Sequence, residues 1–587
     1  QTIGTRATLL LGAALLALLA AGLSRVRLPA TPGAGRPLPG GGGARGALAV
    51  AFLAGFVTLA AELLAVRLFS PWCGQSNRIW ASTIGVILFA LALGSWLGER
   101  LARARPGGQG TLVGVLVLAG LTLLPAAFLG PALAEHFVPR GVDSMRILPV
   151  AFSASLALTT TLFGLPTLLL GAVAPLLVHQ LSPRLGVGIA AGRVSAWGTW
   201  GALAGTFVGP LLLVPTIGSR LGVVALVSLL VGGAALAAQG LSRLRLGALA
   251  LGFTGLLLAV LLPRWTVRVH PGQLTEVESA YQTVRAVRET VGVLIPDGPP
   301  SEGGSPGTAE AVFLRHDEDA ETYQSIWLPM DWEKILTGGR YYEQMALGAR
   351  LALPAAGSGR LRVLIIGYAG GGVHRVLRDT LPWGVSLDVV GVEIDPAVVD
   401  VSREHLALGS LEGDGLRLIT GEDARTVVNA LPASETFHLV LVDAYARTNY
   451  IPFQLATREF LAQMKQHLVP GGWVGVNVLG TGLNGPVCRA VATTLDAAVG
   501  PTYLHPNVWY PGTVILWATD VGTGPPRIHL IERQMGAPGD DTLHPSLEVS
   551  AFALERLAVR HVPRADEMVL TDDLSPSDRL ADKELGL

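Results

Sequence analysis

The sequence predicts an α-helical, multi-pass membrane bundle followed by a soluble α/β domain with a doubly wound sheet, and a small β-hairpin subdomain between the two. Three observations carry this. Residues 1–264 hold four acids, Glu62, Glu99, Glu135 and Asp143, and no lysine, while nearly all Asp, Glu and Lys come later. Such a partition puts the first part in lipid and the second in water. Later in the chain, apolar runs of strand character alternate with amphipathic stretches, as in a sheet with helices on both faces. Finally, the stretch Val363-Leu364-Ile365-Ile366-Gly367-Tyr368-Ala369-Gly370-Gly371-Gly372 joins a short apolar strand to a helix through a glycine cluster. The expected division is 1–264 transmembrane, 265–345 hairpin subdomain with a connecting helix, and 346–587 α/β domain.

The membrane part reads as about eight helices, at roughly 7–24, 47–66, 80–98, 111–132, 150–178, 189–215, 219–239 and 246–263. About 20 apolar residues cross a hydrocarbon core of about 30 Å. The first helix is short, like an uncleaved signal anchor. A Pro/Gly-rich loop, Leu28 to Gly43, follows it, and Gln1 in place of Met fits a native start further upstream. Glycines recur every four residues at Gly201, Gly205 and Gly209, and at Gly94 and Gly98, a spacing that lets helices approach closely in lipid. Glu62 stands inside an apolar helix, four residues after Thr58 and five before Arg67. A carboxylate in a membrane is costly, which makes Glu62 a functional candidate, the alternative being a helix-end acid paired with Arg67. The polar, aromatic loop Ser70 to Arg78 is placed to line a site where the membrane meets the soluble domain. Loop arginines number ten on one side (25, 27, 36, 45, 100, 103, 105, 184, 243, 245) and seven on the other (6, 78, 140, 146, 220, 264, 268). The positive-inside rule puts the ten in the cytoplasm and the soluble domain outside it; one miscounted helix, 150–178 before any other, reverses this.

In the soluble part, Tyr281 to Val287 and Tyr323 to Leu328 alternate as hairpin strands, with a Gly/Pro/Ser-rich loop over 297–307 between them. Tyr341-Tyr342-Glu343-Gln344-Met345 opens a helix leading to the glycine turn, and the apolar run after the turn ends in Glu393-Ile394-Asp395-Pro396. Strand, glycine turn, helix, strand and terminal acid describe a nucleotide-binding βαβ unit, in which the glycines admit a ligand close to the backbone and the acid holds two ribose hydroxyls. The alternative is an ordinary crossover whose glycines serve only the turn. Later strands end at Gly421-Glu422-Asp423-Ala424 and at Asp443-Ala444-Tyr445, and the turn Pro470-Gly471-Gly472 leads into a strand over 473–478. Ligands bind beyond the carboxyl ends of parallel strands. Gly370, Glu393, Asp423 and Asp443 arrive there together, which is the chain's main chemical signal. A net charge of −1 argues against a nucleic-acid partner. Cys73 and Cys488, the only cysteines, make neither a disulfide framework nor a cysteine metal site, and a pairing between the two is left open.

On these motifs residues 275–587 resemble the spermidine synthase family of aminopropyltransferases, which have the Rossmann-like class I methyltransferase fold. The matching pieces are Tyr281-Gln282, Tyr342-Glu343, Ile366-Gly367, Val392 to Asp395, Gly421 to Ala424, and Asp443. Residues 47–263 are similar to the membrane half of a bacterial class of membrane-fused spermidine synthase-like proteins, through Phe52 to Gly55, Glu62, Arg67, Leu93 to Ser95, Pro166 to Pro175 and Gly201 to Leu213; Leu570 to Asp573 and Pro576 fit the same class. The resemblance implies a multi-pass protein of the bacterial cell membrane. It implies S-adenosylmethionine or decarboxylated S-adenosylmethionine as the cofactor, held by Gln282, Gly367, Gly370, Gly371, Glu393, Asp423 and Ala424. Glu393 would take the ribose hydroxyls and Asp423 the adenine amino group. Tyr281, Tyr342 and Glu343 would face substrate, Asp443 would deprotonate and orient the attacking amine, and no metal is implied. An amine arrives protonated and must lose a proton before it attacks; placing the reactants in line supplies most of the remaining effect.

Two positions depart from the family. Its glycine turn carries an acid that grips the propylamine, where this chain has Gly370; a second acid follows the catalytic one, where this chain has Ala446 and then Arg447. Adenosine-side features are kept and polyamine-side carboxylates are lost, so putrescine is not the expected acceptor. Three readings are open. One is a membrane-anchored transferase using S-adenosylmethionine or a derivative. Another is an extracytoplasmic enzyme that has given up that cofactor and acts on a small amine or peptide terminus through Asp443, Tyr445 and Glu62. The last is a transporter or scaffold with a binding-only domain. The expected partners are the lipid bilayer and a small-molecule or peptide substrate, with a homodimer allowed.

Overall fold

A computed structural model describes residues 42–74, 77–104, 109–138, 147–238, 242–262, 265–295, 305–316, 323–329, 340–356, 359–382, 384–413, 415–445, 451–507, 512–521, 547, 551, 554–564, 567–572 and 580. The expected helix at 7–24, most of the loops at 28–43 and 297–307, and Ala446, Arg447, Asp573 and Pro576 lie outside the described residues.

Five helical stretches among the described residues are long and apolar enough to cross a membrane: Ala44–Cys73, Ile79–Ala104, Gly110–Phe137, Val150–Leu185 and Val187–Ala237, with a shorter apolar helix at Leu246–Leu261. The fifth is two helices. Gly218 takes φ +81° and ψ 165°, a conformation that glycine tolerates and other residues resist, and the chain doubles back there. Before it, Gly201, Gly205 and Gly209 pack on Phe52, Phe56 and Ala60 of helix Gly42–Cys73 in the same sense; after it, Gly222 and Gly233 meet Leu64 and Leu53 in the opposite sense. The separate helices expected at 189–215 and 219–239 are therefore both present. The expected glycine stripes are packing surfaces. A Cβ on Gly201 would lie 1.8 Å from the Phe52 carbonyl oxygen, and one on Gly94 1.9 Å from that of Leu168, so any larger residue forces these helices apart. The expected 150–178 helix is interrupted by a π-helical turn, Thr160–Gly164, and the helical stretch runs on to Leu185.

After the helices, strands β1 (Gln273–Glu278), β2 (Thr283–Ile295), β3 (Ser305–Arg315) and β4 (Ser325–Trp327) form an antiparallel sheet in sequence order. A second sheet is mixed. Strands β5 (Arg360–Ile366), β6 (Ser386–Glu393), β7 (Leu416–Thr420), β8 (Phe437–Val442) and β9 (Leu468–Leu479) are parallel, and β10 (Thr502–Pro506), β11 (Thr513–Thr519) and β12 (Val559–Arg560) extend it antiparallel. The order is β12-β10-β11-β9-β8-β5-β6-β7. Helices Tyr341–Ala356 and Gly372–Thr380 cover one face through Met345, Leu347 and Val376, while Arg458–Gln466 and Pro486–Ala498 cover the other through Phe460, Met464 and Val491. Burial on both faces explains why the last four residues of β5 and of β8 are all apolar. The chain order reverses at β5, so the crevice between β5 and β8 is the topological switch point where such sheets bind ligands. The Pro470-Gly471-Gly472 turn is absorbed into β9 as a bulge: Phe437 pairs with Leu468, and Leu439 with Trp473.

Candidate functional site

The glycine turn at the end of β5 is pinned from both sides. Gly367 has φ +81°, and a Cβ there would stand 2.4 Å from the Asp443 carbonyl oxygen. The N–H groups of Gly367 and Tyr368 both donate to Val392 O at 3.0 Å. Only a glycine lets the β5, β6 and β8 ends converge this closely. Gly371, also left-handed, starts helix Gly372–Thr380.

Glu393 sits at the end of β6, buried, and faces the turn. Its Oε2 accepts from Ala369 N at 2.9 Å and its Oε1 from Asp395 N at 3.1 Å. Burial pushes its carboxyl up to about 7, and these backbone donors act against the rise. Asp395 caps helix Pro396–His405 by accepting from Ala397 N at 3.0 Å, and its other oxygen accepts from Ser279 Oγ at 2.7 Å and Gln282 Nε2 at 3.1 Å. The Gln282 amide, for which the resemblance implies a contact with the nucleoside or substrate, thus donates to Asp395. Asp423 caps helix Ala424–Ala430, accepting from Arg425 N at 2.9 Å through Oδ1; Ala424 is buried beside it.

At the end of β8, Asp443 Oδ1 accepts from Asn477 Nδ2 at 2.8 Å, and the Tyr341 hydroxyl also bonds this carboxyl. Burial pushes Asp443 up to about 7 against both of these bonds. Tyr445 donates to Asn477 O at 2.7 Å and accepts from Leu479 N at 2.9 Å, and burial pushes its phenol up. It ties β9 to the end of β8, where Asn477 reaches Asp443. Tyr341 and Asn477 escaped the sequence reading as site residues. An amide alone in the apolar run Trp473 to Leu479 was the available signal for Asn477.

The remaining candidates are placed as follows. The Tyr342 ring lies against Gly372 and its hydroxyl donates to Gln324 O at 3.2 Å; Glu343 is fully buried; Tyr281 is 45% exposed. Gly370 N donates to the buried Ser325 Oγ at 3.1 Å. Glu62 is buried in helix Gly42–Cys73, and among the described residues no hydrogen bond or ion pair joins it to Arg67, Asp443 or Tyr445; Arg67 reaches the Ser279 and Tyr281 carbonyls instead. Cys73 and Cys488 are buried in different cores and form no disulfide.

A mixed α/β sheet covered on both faces, with acids at successive parallel-strand ends and a glycine turn beside them, is an arrangement that offers a ligand site beyond the carboxyl ends of its strands. The comparisons narrow this. The chain is 29% identical to polyamine aminopropyltransferase 2 of Streptomyces coelicolor over 518 residues, covering 85% of this chain and 82% of the relative. It is 27% identical to a probable polyamine aminopropyl transferase of Bifidobacterium longum over 256 residues, or 42% of this chain and 53% of that one. It is 32% identical to the polyamine aminopropyltransferase of Vibrio vulnificus over 120 residues, or 20% and 38%. Against the solved spermidine synthase of Thermotoga maritima the TM-score is 0.33 at 15% identity, over 47% of this chain and 83% of the other; a probable spermidine synthase of Corynebacterium glutamicum gives 0.34 at 14%, over 51% and 99%. No protein-family model matches. The chain is thus similar to polyamine aminopropyltransferases, which are transferases, and the Streptomyces match is long enough to extend into the apolar helices.

Proposed function

We propose that the chain is a membrane-anchored transferase that takes S-adenosylmethionine or its decarboxylated form and passes a group to an acceptor less cationic than putrescine. The observation that carries this is that Glu393 and Asp443 meet the turn at Gly367, with Asp423 past the end of β7 on the same carboxyl edge of the sheet. In this reading Glu393, its two oxygens already aligned by backbone N–H groups, accepts from the ribose hydroxyls. Asp423 accepts from the adenine amino group with the oxygen that does not cap its helix. The bound donor supplies a carbon activated by its sulfonium. Asp443 takes the proton of the attacking amine, and a carboxyl held near neutrality is matched to that task. The lost family acids, at Gly370 and Ala446, would each have given an ammonium a charged hydrogen bond worth about 1.5–3 kcal/mol. The apolar helices support a multi-pass anchor in the bilayer. The test is to supply labelled donor to the chain in bacterial membranes with a mixed amine pool. Release of methylthioadenosine or S-adenosylhomocysteine that vanishes in Asp443→Asn is expected; no release, or efficient spermidine formation from putrescine, overturns the proposal.

One observation favours a second reading. Helix ends remote from the α/β region carry Arg45, Arg100, Arg103 and Arg184, with Glu99 as their acid among the described residues. Under the positive-inside rule this end is cytoplasmic and the site lies outside, where the donor must change. Val562 is 71% exposed. Val562→Cys, with Cys73 and Cys488 replaced, reports the side: labelling of intact cells by an impermeant maleimide supports the second reading, and labelling only after lysis supports the first.

A further inference from the structure

We infer that Arg67, in the apolar helical region, is a positioning residue for the nucleoside pocket, acting on Glu393 through the Ser279–Gln282 turn and Asp395. The inference rests on the proposed nucleoside site and adds the helices to it.

Arg67 is 5% exposed, and its guanidinium forks onto two backbone carbonyls, Nη1 to Tyr281 O at 2.7 Å and Nη2 to Ser279 O at 2.6 Å. A planar fork fixes the spacing and orientation of both carbonyls, which an ammonium does not. The turn so held is rigid in itself: Ser279 N donates to Gln282 O at 2.8 Å, and the Tyr281 and Gln282 N–H groups both donate to Ser279 Oγ at 3.0 Å. Ser279 Oγ has one proton, and the better acceptor within reach is the Asp395 carboxylate at 2.7 Å. Gln282 Nε2 joins it on the same oxygen, Asp395 is fully buried, and its own N–H donates to Glu393 Oε1. Each link from Arg67 to the ribose-binding carboxylate is thus a direct hydrogen bond.

A second clamp sits one residue earlier. Glu278, buried at the end of β1, accepts from Ser219 N at 2.6 Å and from the Ser219 hydroxyl, where the helices reverse at Gly218. The turn is therefore held by two separate helices, and the pocket acid cannot shift without them. The side chain of Arg268, another buried arginine at this junction, donates to Pro71 O and approaches Glu135, both in the helical region, which makes Arg268→Ala a control for general docking.

The test is methylthioadenosine binding to the chain in detergent micelles, with amide exchange of residues 393–397 in the ligand-free protein. Arg67→Ala and Arg67→Lys are expected to weaken binding on the order of tenfold and to speed exchange at Asp395 and Ala397, with Arg268→Ala leaving both unchanged. Arg67→Ala and Asp395→Asn are expected to be non-additive in affinity, because they lie in one network. Native affinity and exchange in both Arg67 variants overturns the inference, as does an equal effect of Arg268→Ala. If the parent chain binds no nucleoside, the pocket reading fails, and the exchange arm alone then decides the linkage.

Discussion

Restoring an acid at Gly370 is the direct way to turn this site toward cationic amines, and the structure predicts that it fails. A Cβ there would stand 2.8 Å from Ser325 Cβ and 3.0 Å from Leu406 Cδ2. Both neighbours are 1% exposed, so neither can step aside into solvent. Overpacking of this kind costs about 1–3 kcal/mol. The hydrogen bond from Gly370 N to Ser325 Oγ is lost if Ser325 moves, at about a further 0.5–1.5 kcal/mol. Gly370→Asp is therefore expected to be about 2–4 kcal/mol less stable, with no gain in putrescine turnover. Adding Ser325→Gly, which removes the nearest atoms, should recover most of the packing loss. Thermal unfolding followed by tryptophan fluorescence reads this out, since Trp517 is fully buried in the second sheet, whose β5 strand leads into this turn. A Gly370→Asp protein as stable as its parent, or one that turns over putrescine, refutes the reasoning.

Three further outcomes follow from the site. Asp443→Asn should lose about 100-fold or more in turnover and keep nucleoside affinity, measured by single-turnover kinetics beside calorimetry. The rate should rise with pH through about 7 as Asp443 ionises; Tyr341→Phe removes a bond that favours the charged form, so its pH–rate profile should shift to higher pH. Glu393 and Asp443 are both raised from ordinary values of 4.5 and 3.8 to about 7. Their protonated forms then stabilise the fold fully below the ordinary values, and this contribution is lost as pH rises through about 7, which urea midpoints across that window would show.

Much of this architecture could be read from the chain because it is local. Four apolar residues before Gly367 announced β5, and an acid at or just past the ends of β6, β7 and β8 announced the crevice. The glycine stripes at Gly201 and Gly94 announced helix contacts, although not their partners, Phe52 and Leu168. What escaped was non-local. Arg67 and Ser279 are 212 positions apart, and nothing near either predicts their bond. The resemblance implies that Gln282 contacts the nucleoside or substrate; only the fold shows Asp395 within its reach. The Pro470-Gly471-Gly472 sequence has turn chemistry, yet pairing of Leu468 with Phe437 and Trp473 with Leu439 absorbs it as a bulge. Tyr341 opens an apolar helix and carries no site signal of its own in the sequence; only the fold brings its hydroxyl to Asp443.

In the proposed function, Glu393 and Asp423 hold an adenosine-containing thioether or sulfonium. Calorimetric titration of the folded chain in micelles with methylthioadenosine and with S-adenosylmethionine tests it most directly. Saturable heat is expected with at least one of them. Glu393→Gln, which removes one charge-assisted bond worth about 1.5–3 kcal/mol, should weaken binding roughly 10- to 150-fold; Asp423→Asn should also weaken it, and Glu62→Gln should leave it unchanged. No heat with either ligand, from protein shown to be folded, contradicts the account.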